Sequence, residues 1–101
     1  MREELVLTEP EGTIVVPAAT LCRIIASAAE LVEGARVRRP RRAIDIDVSG
    51  GSASVTVQLA VQYGSVLPEV SENVQREVAA ALEQMCGLEV RQVDVGIEEL
   101  L

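Results

Sequence analysis

The most regular pattern of apolar and polar residues in this chain lies between Pro68 and Gly87. Its apolar residues recur at intervals of four, four, four and three positions, which places them in one stripe along a helix. The residues of this stripe are Val70, Val74, Val78, Leu82 and Met85. Pro68 suits the first turn of a helix, Ser65 is a candidate N-cap, and Gly87 can adopt the left-handed conformation that ends one. The pattern therefore predicts a helix with one buried face.

A shorter helical pattern begins after Pro17 and ends at Gly34. Its predicted core residues are Leu21, Ile24, Ile25, Ala28 and Val32. The many alanines in this segment favour helix and allow close packing. A short strand is predicted before it, at residues 13–16. The polar residues 1–11 are predicted to form a flexible leader that is loosely held or pairs weakly at a sheet edge.

Strict alternation of apolar and polar residues predicts a β-hairpin in the middle of the chain. Between residues 43 and 48 the apolar side chains point to one face, while Asp45 and Asp47 point to the other. Gly50 and Gly51 form a tight-turn signal, and the returning strand alternates in the same way. We expect this hairpin to bury one face and to leave the other in water.

The alternation changes phase in the last predicted strand, residues 88–97. Its apolar residues are even-numbered up to Val90 and odd-numbered from Val93 onwards. A β-bulge near Arg91 and Gln92 would keep both sets facing the core.

The order of the elements is strand, helix, strand, strand, helix, strand. This order predicts an α+β fold in which two helices pack on one face of a small mixed or antiparallel four-stranded sheet, a split βαβ arrangement. We expect a single domain at residues 12–97, preceded by the leader at residues 1–11 and followed by a short tail at residues 98–101.

The composition argues against several classes of function. The chain of 101 residues has a net charge of −7 and one aromatic residue, so general affinity for nucleic acid and stacking on bases are disfavoured. Histidine is absent, which excludes Ser-His-Asp and Cys-His catalysis. Asp45 and Asp47 are interpreted as solvated surface charge, and Gly50-Gly51 lacks the pattern of a phosphate-binding loop. We therefore expect no enzyme, no catalytic residues, no cofactor and no metal site.

Cys22 and Cys86 lie far apart in the sequence, which is neither a CxxC pair nor a zinc framework. We expect two buried thiols without a disulfide bond. No apolar run reaches the roughly 18 residues that cross a bilayer. The first residues also lack the apolar block of a signal peptide. The expected location is the cytoplasm.

The basic residues of the chain are all arginines, and five of the nine lie in residues 36–42, here called the arginine segment. These five are Arg36, Arg38, Arg39, Arg41 and Arg42. Like charges and a proline predict an exposed loop, which Pro40 would keep extended. Guanidinium groups bind phosphate and carboxylate in a forked geometry, so the segment is a candidate surface for an anionic partner. A solvated loop that offsets nearby acids is the simpler interpretation; lipid, RNA or an acidic protein are the alternatives.

Several short motifs of the chain match those of a known protein family. These motifs are Gly12-x-Ile14, Glu33-Gly34-Ala35, Tyr63-Gly64, Pro68-Glu69-Val70 and Met85-x-Gly87-Leu88-x-Val90. Together they resemble the alkaline shock protein family, also called the bacterial envelope stress response family. The resemblance covers residues 12–97.

This resemblance implies a non-enzymatic bacterial protein linked to cell-envelope homeostasis and stress. It further implies protein partners: other copies of the chain, and a membrane-anchored protein that holds it at the cytoplasmic face of the membrane. No catalytic residues are transferred by it. The alternative hypothesis is a module that binds nucleic acid or anionic lipid through the arginine segment.

Overall fold

A central ten-residue strand organises the fold in the computed structural model, which describes residues 4–101. The elements are β1 (Leu5–Glu9), β2 (Gly12–Val16), α1 (Ala18–Ala29), β3 (Ala35–Arg36), α2 (Pro40–Ala43), β4 (Ile44–Ser49), β5 (Ser52–Val61), α3 (Leu67–Cys86) and β6 (Glu89–Leu100). The predicted α+β class and the predicted order of the main elements are confirmed.

The central strand β5 has partners along both of its edges. On one edge β3 and β4 pair with it in antiparallel orientation, one after the other. On the other edge β6 runs parallel to it, and α3 forms the crossover that this pairing requires. Helices α1 and α3 pack against each other, with α1 beside β4 and α3 beside β6. The predicted split βαβ arrangement thus has a mixed sheet with β5 at its centre.

The hydrophobic core lies between the two long helices and the inward face of the sheet. Its fully buried large side chains are Leu21, Ile25, Ile46, Leu59, Leu82, Val55, Val57, Val61, Val74 and Val78. No polar or charged residue is buried among residues 4–101. The core is therefore aliphatic, and hydrophobic burial is the main source of stability.

The predicted hairpin is confirmed as β4 and β5, with Ser49 paired to Ser52 across the turn. Gly50 and Gly51 both have a positive φ, 57° and 81°, a backbone conformation that residues with side chains rarely adopt. Two consecutive residues of this kind form the type of turn whose twist matches that of the flanking strands.

Helix α3 differs from the prediction at both of its ends. Met85 is 69% exposed, whereas Cys86 is 6% exposed and takes the expected core position. The buried residues are spaced by four, which is slightly more than one helical turn, so the buried stripe winds slowly about the helix axis. At the end of the helix this stripe includes Cys86 and leaves Met85 on the solvent side. The N-cap is Val66, without a side-chain hydrogen bond, so the assignment of Ser65 as the cap was wrong. Gly87 ends the helix with φ 66°, as predicted.

The strand predicted at residues 13–16 forms, but outside the main sheet. It is β2, which pairs with β1 in a separate hairpin that joins Leu5 to Val16 and Glu9 to Gly12. The fourth strand of the main sheet is instead the two-residue strand β3, which pairs with β5. Residues 5–9 of the expected leader thus form a strand, and Leu5 is buried in the core because the apolar ends of this hairpin pack there.

Two β-bulges interrupt the pairing of β6 with β5. Ala53 faces Val90 and Ser54 faces Gln92, so Arg91 is an extra residue, and the predicted bulge is confirmed. A second shift occurs near the end of the strand. Pairing then continues to Leu100, so residues 98–100 of the expected tail belong to β6.

Candidate functional site

The outer face of the sheet, which the helices leave open, carries the polar side chains of the hairpin. Asp45 pairs with Thr56 and Asp47 with Ser54 on this face, and both carboxylates are exposed. Within residues 4–101 there is no group of three or more His, Cys, Asp or Glu residues that could hold a metal ion. The pair of aspartates therefore has no further acidic ligands around it.

The arginine segment has more regular structure than an extended loop. Arg36 belongs to β3, and Pro40 begins the helical turn α2, so the prediction that Pro40 keeps the segment extended was wrong. Proline is compatible with a first helical turn because its fixed φ suits the helix and no N–H is needed there. The N–H groups of Arg42 and Ala43 close the turn by donating to the Arg39 carbonyl oxygen, at 2.9 and 2.7 Å.

The Arg38 side chain reaches across the end of β5, from the edge that pairs with β3 to the edge that pairs with β6. Ala60 of β5 pairs with Arg36 on one side and with Glu99 of β6 on the other. Arg38, two residues beyond β3, donates from Nη1 to Glu99 Oε1 at 3.1 Å and to Oε2 at 3.2 Å. Ala60 is fully buried, although the outward side chains earlier in β5 are only half-buried. The ion pair between Arg38 and Glu99 therefore spans the end of the central strand at Ala60.

The second bulge of β6 is what places Glu99 beside Arg38. Ile97 pairs with Leu59 on the inward face, and Glu99 pairs with the next residue, Ala60, on the outward face. Glu98 is the extra residue of the bulge. In a regular strand with the same residues, alternation would turn Glu99 to the same side as Ile97, towards the core. The bulge thus keeps a carboxylate out of the apolar core and presents it to an arginine.

A cleft of about 490 Å³, here called the arginine cleft, opens where this segment meets the end of β6. It is lined by Arg38, Arg39, Arg42, Ala43, Glu98 and Glu99. Three guanidinium groups and two carboxylates give the lining a net charge of +1, whereas the chain carries −7. The arginine cleft is therefore a local positive site on an acidic protein.

The five predicted arginines are all exposed, but they are not equivalent. Arg38 forms an ion pair with Glu99. The Arg36 guanidinium donates to the carbonyl oxygen of Ala35. In the described part of the chain, no carboxylate lies within ion-pair distance of the three guanidinium groups that follow, those of Arg39, Arg41 and Arg42.

A second open site, here called the helix groove, runs between α1 and α3 on the side away from the sheet. It has a volume of about 510 Å³. Its apolar surface comes from Ile24, Ala28 and Ala81. It is also lined by Leu31 and Met85, whose side chains are 75% and 69% exposed. The sequence pattern missed this groove because it assigned Ile24 and Met85 to the core.

Leu31 and Met85 lie at opposite ends of the helix groove. The end of α1 adjoins the start of α3, since a Cβ added at Gly34 would lie 2.9 Å from the Ser65 Oγ atom. The two helices are therefore antiparallel, and their C-terminal ends point in opposite directions. Arg23 of α1 and Glu77 of α3 also line the groove, so its two walls carry opposite charges.

The two cysteines are buried, and no disulfide bond joins them in the structure. Cys86 lies in the last turn of α3, where burial raises the pKa of its thiol above the usual value. A protonated, buried thiol is a poor nucleophile. This environment is that of a structural cysteine.

Comparison with known families decides where the chain belongs. Residues 13–101 match the alkaline shock protein 23 family, which is described as having a cell envelope-related function. The chain belongs to this family. The resemblance seen in the sequence motifs is thereby confirmed, and membership in the alkaline shock protein 23 family relates the chain to the cell envelope. None of the helices formed by residues 4–101 is long and apolar enough to cross a membrane.

A search of curated proteins gives no match. Among solved structures, the fold is similar to that of the MamM CTD. A manganese form of it is 18% identical with a TM-score of 0.55, and the match covers 80% of this chain and 96% of that chain. A cadmium form is 21% identical with a TM-score of 0.55, covering 80% of this chain and 94% of that chain. At such identities the likeness concerns the fold alone.

Proposed function

We propose that this chain is a non-enzymatic cell-envelope protein that acts through protein–protein contacts. Its partners are a second copy of itself and a membrane-anchored protein that holds it at the cytoplasmic face of the membrane. Membership in the alkaline shock protein 23 family supports the envelope role. The helix groove is the observation that carries the proposed self-association.

The helix groove leaves two large apolar side chains in water. Leu31 and Met85 are each more than two-thirds exposed. Full burial of a side chain of this size stabilises a complex by about 1.5–3 kcal/mol. Contact across the groove would remove both side chains from water in each copy. This gain supports a protein partner that covers the whole groove.

The charges of the groove favour a second copy as that partner. A two-fold axis along the groove places α1 of one copy over α3 of the other. Arg23 of each copy then approaches Glu77 of its neighbour, so the same ion pair forms twice in a self-complementary interface. Exposed pairs of this kind set orientation more than affinity, and the apolar contact supplies most of the free energy.

The test of self-association is the mass of the protein in solution. The double variant Leu31→Glu, Met85→Glu should be monomeric at concentrations where the parent associates, as measured by sedimentation equilibrium. Tyr63→Glu is the matched control, since Tyr63 is 78% exposed and lies outside the groove. If the double variant associates as strongly as the parent and the control, the helix groove is not the interface.

The membrane-anchored partner is tested by comparing two kinds of membrane. The purified chain should sediment with membranes from its source cells but not with protein-free vesicles made from the same lipids. Equal binding to both would show that lipid, not an anchored protein, is the partner.

A second candidate function is binding of an anionic partner by the arginine segment. It is favoured by Arg39, Arg41 and Arg42, which have no ion-pair partner within residues 4–101. Such binding should weaken with salt, because exposed charges are screened beyond about 8–10 Å at moderate ionic strength. Changing all five arginines of the segment to serine should leave folding intact and reduce binding to vesicles of anionic lipid. Unchanged binding would leave the segment as a solvated surface.

A further inference from the structure

We propose that the arginine cleft binds a phosphate monoester group, with Arg39 and Arg42 as its ligands and Glu99 as a resident anion that competes for the site. The proposal rests on the second candidate function above and makes it specific. It names two of the five arginines as ligands, and it assigns a role to a carboxylate that the sequence pattern placed in a tail.

The arginine cleft contains two guanidinium groups that are not paired with a carboxylate of the described residues. Arg39 and Arg42 both line the cleft, and no carboxylate of the described residues forms an ion pair with either of them. Each guanidinium has five N–H donors in a planar fork that matches the oxygens of a phosphate group. The short helical turn fixes the backbone of both residues, since it is closed by hydrogen bonds to the Arg39 carbonyl oxygen. Two guanidinium groups are thus brought to one cleft.

The charge around the cleft favours a compact anion over an extended one. Asp45 and Asp47 follow the segment on the same outer face, and Glu98 and Glu99 line the cleft itself. A flat anionic surface or a nucleic-acid strand would meet these acids together with the arginines. A phosphate monoester concentrates about 1.5–2 negative charges on three oxygens at neutral pH, so it gains from the local charge without extending over the acids.

Glu99 shows that the site accepts an anion. Both of its oxygens accept from one nitrogen of Arg38, at 3.1 and 3.2 Å, and both side chains are about half exposed. Exposed ion pairs of this type are weak, so an incoming anion can compete with them. Replacing Glu99 by Gln raises the charge of the lining from +1, the sum of three arginines and two glutamates, by one unit. The second bulge of β6, which turns Glu99 outward, therefore places a competing carboxylate in the cleft.

The experiment is a titration followed by NMR, with inorganic phosphate as the free probe. The backbone amide signals of residues 38–43 and 98–99 should shift saturably in the parent. Glu99→Gln should bind about two- to fivefold more tightly, the range that loss of one exposed charge interaction supplies. Arg39→Ser, Arg42→Ser should weaken binding at least about tenfold, because both charge-assisted forks are removed. Arg91→Ser is the matched control: it removes one exposed arginine of the first bulge and should bind as the parent does.

A second arm distinguishes the sources of the phosphate group. Vesicles containing phosphatidic acid present a phosphate monoester on a lipid, and vesicles of phosphatidylglycerol present a diester with a single charge. Saturable shifts with inorganic phosphate support a site for small phosphate esters. Binding only to phosphatidic acid vesicles supports a lipid headgroup, provided that Glu99→Gln still strengthens it.

The proposal is overturned if neither probe shifts these amide signals, or if the Arg39, Arg42 variant binds as the parent does. It is also overturned if Glu99→Gln leaves the affinity unchanged. None of these variants touches the helix groove, so self-association measured by sedimentation should stay at the parent's level in all of them. Failure of the phosphate site is thereby separable from failure of the proposed protein contacts.

Discussion

Replacing Val74 by Asp should unfold this domain. Val74 lies in the middle of the buried stripe of α3 and is 0% exposed. No polar residue is buried in the described part of the chain, so a carboxylate at this position would have no buried side-chain partner. The change therefore removes an apolar contact and places an unsatisfied polar group in the core.

The expected loss is comparable with the whole stability of the domain. Loss of the buried valine costs about 1.5–3 kcal/mol. A polar group buried without a hydrogen bond costs about 2–7 kcal/mol more. A chain of 101 residues has a free energy of unfolding of about 5–15 kcal/mol. Val74→Ala, which leaves only a cavity and lost methyl groups, should cost about 2–3 kcal/mol and still fold.

Thermal melts followed by circular dichroism test this reasoning. Val74→Ala should lower Tm by roughly 8–24 °C, at about 4–8 °C per kcal/mol for a domain of this size. Val74→Asp should show no cooperative transition. Asn73→Asp is the matched control, since it places the same carboxylate on the exposed side of the same helix and should change stability by less than about 0.5 kcal/mol. A Val74→Asp protein that melts like the parent would refute the burial of this stripe and make it a binding surface.

Other predictions concern single features of the fold. Alkylation of the unfolded protein, purified without reductant, should find two thiols per chain, Cys22 and Cys86; none would mean a disulfide bond. Burial raises the pKa of the Cys86 thiol from 9.0, so the folded state keeps a proton that the unfolded chain loses. Stability should therefore fall as the pH rises above about 9 in thermal melts, and Cys86→Ala should reduce this slope. Gly87→Ala should cost about 1–2 kcal/mol in denaturant unfolding, because alanine is strained at a φ of 66° although no atom blocks its Cβ; Gly87→Asn should cost less. A double-mutant cycle on Arg38 and Glu99 should give a coupling of at most about 1 kcal/mol, and a larger value would show that this exposed pair is structural.

Local periodicity determined much of the fold from the sequence alone. The two long helices, the hairpin turn at Gly50-Gly51, the left-handed Gly87 and the bulge at Arg91 all follow from spacing or from backbone sterics within a few residues. These features were predictable because the side chains that decide them are close in sequence and each element must present one apolar face to a core.

Features that join distant segments were decided by the tertiary structure. The sequence marks a strand at residues 13–16 but not its partner, since any unpaired sheet edge can satisfy the same backbone groups. Which of Met85 and Cys86 enters the core depends on how the buried face of α3 turns relative to the sheet, a difference of one residue in the helical pattern. The first choice is settled by pairing with β1, and the second by packing of α3 against the sheet.

The candidate binding site was likewise predictable from the sequence only in part. The cluster of arginines is visible in the sequence, and so is its excess of positive charge on an acidic chain. Its ion-pair partner is not, because Glu99 is 61 positions away from Arg38 and reaches it only through a bulge at the end of β6. A one-residue shift of strand register turns every later side chain to the opposite face. The sequence therefore determined which charges the protein carries, and the register of β6 against β5 decided which of them meet.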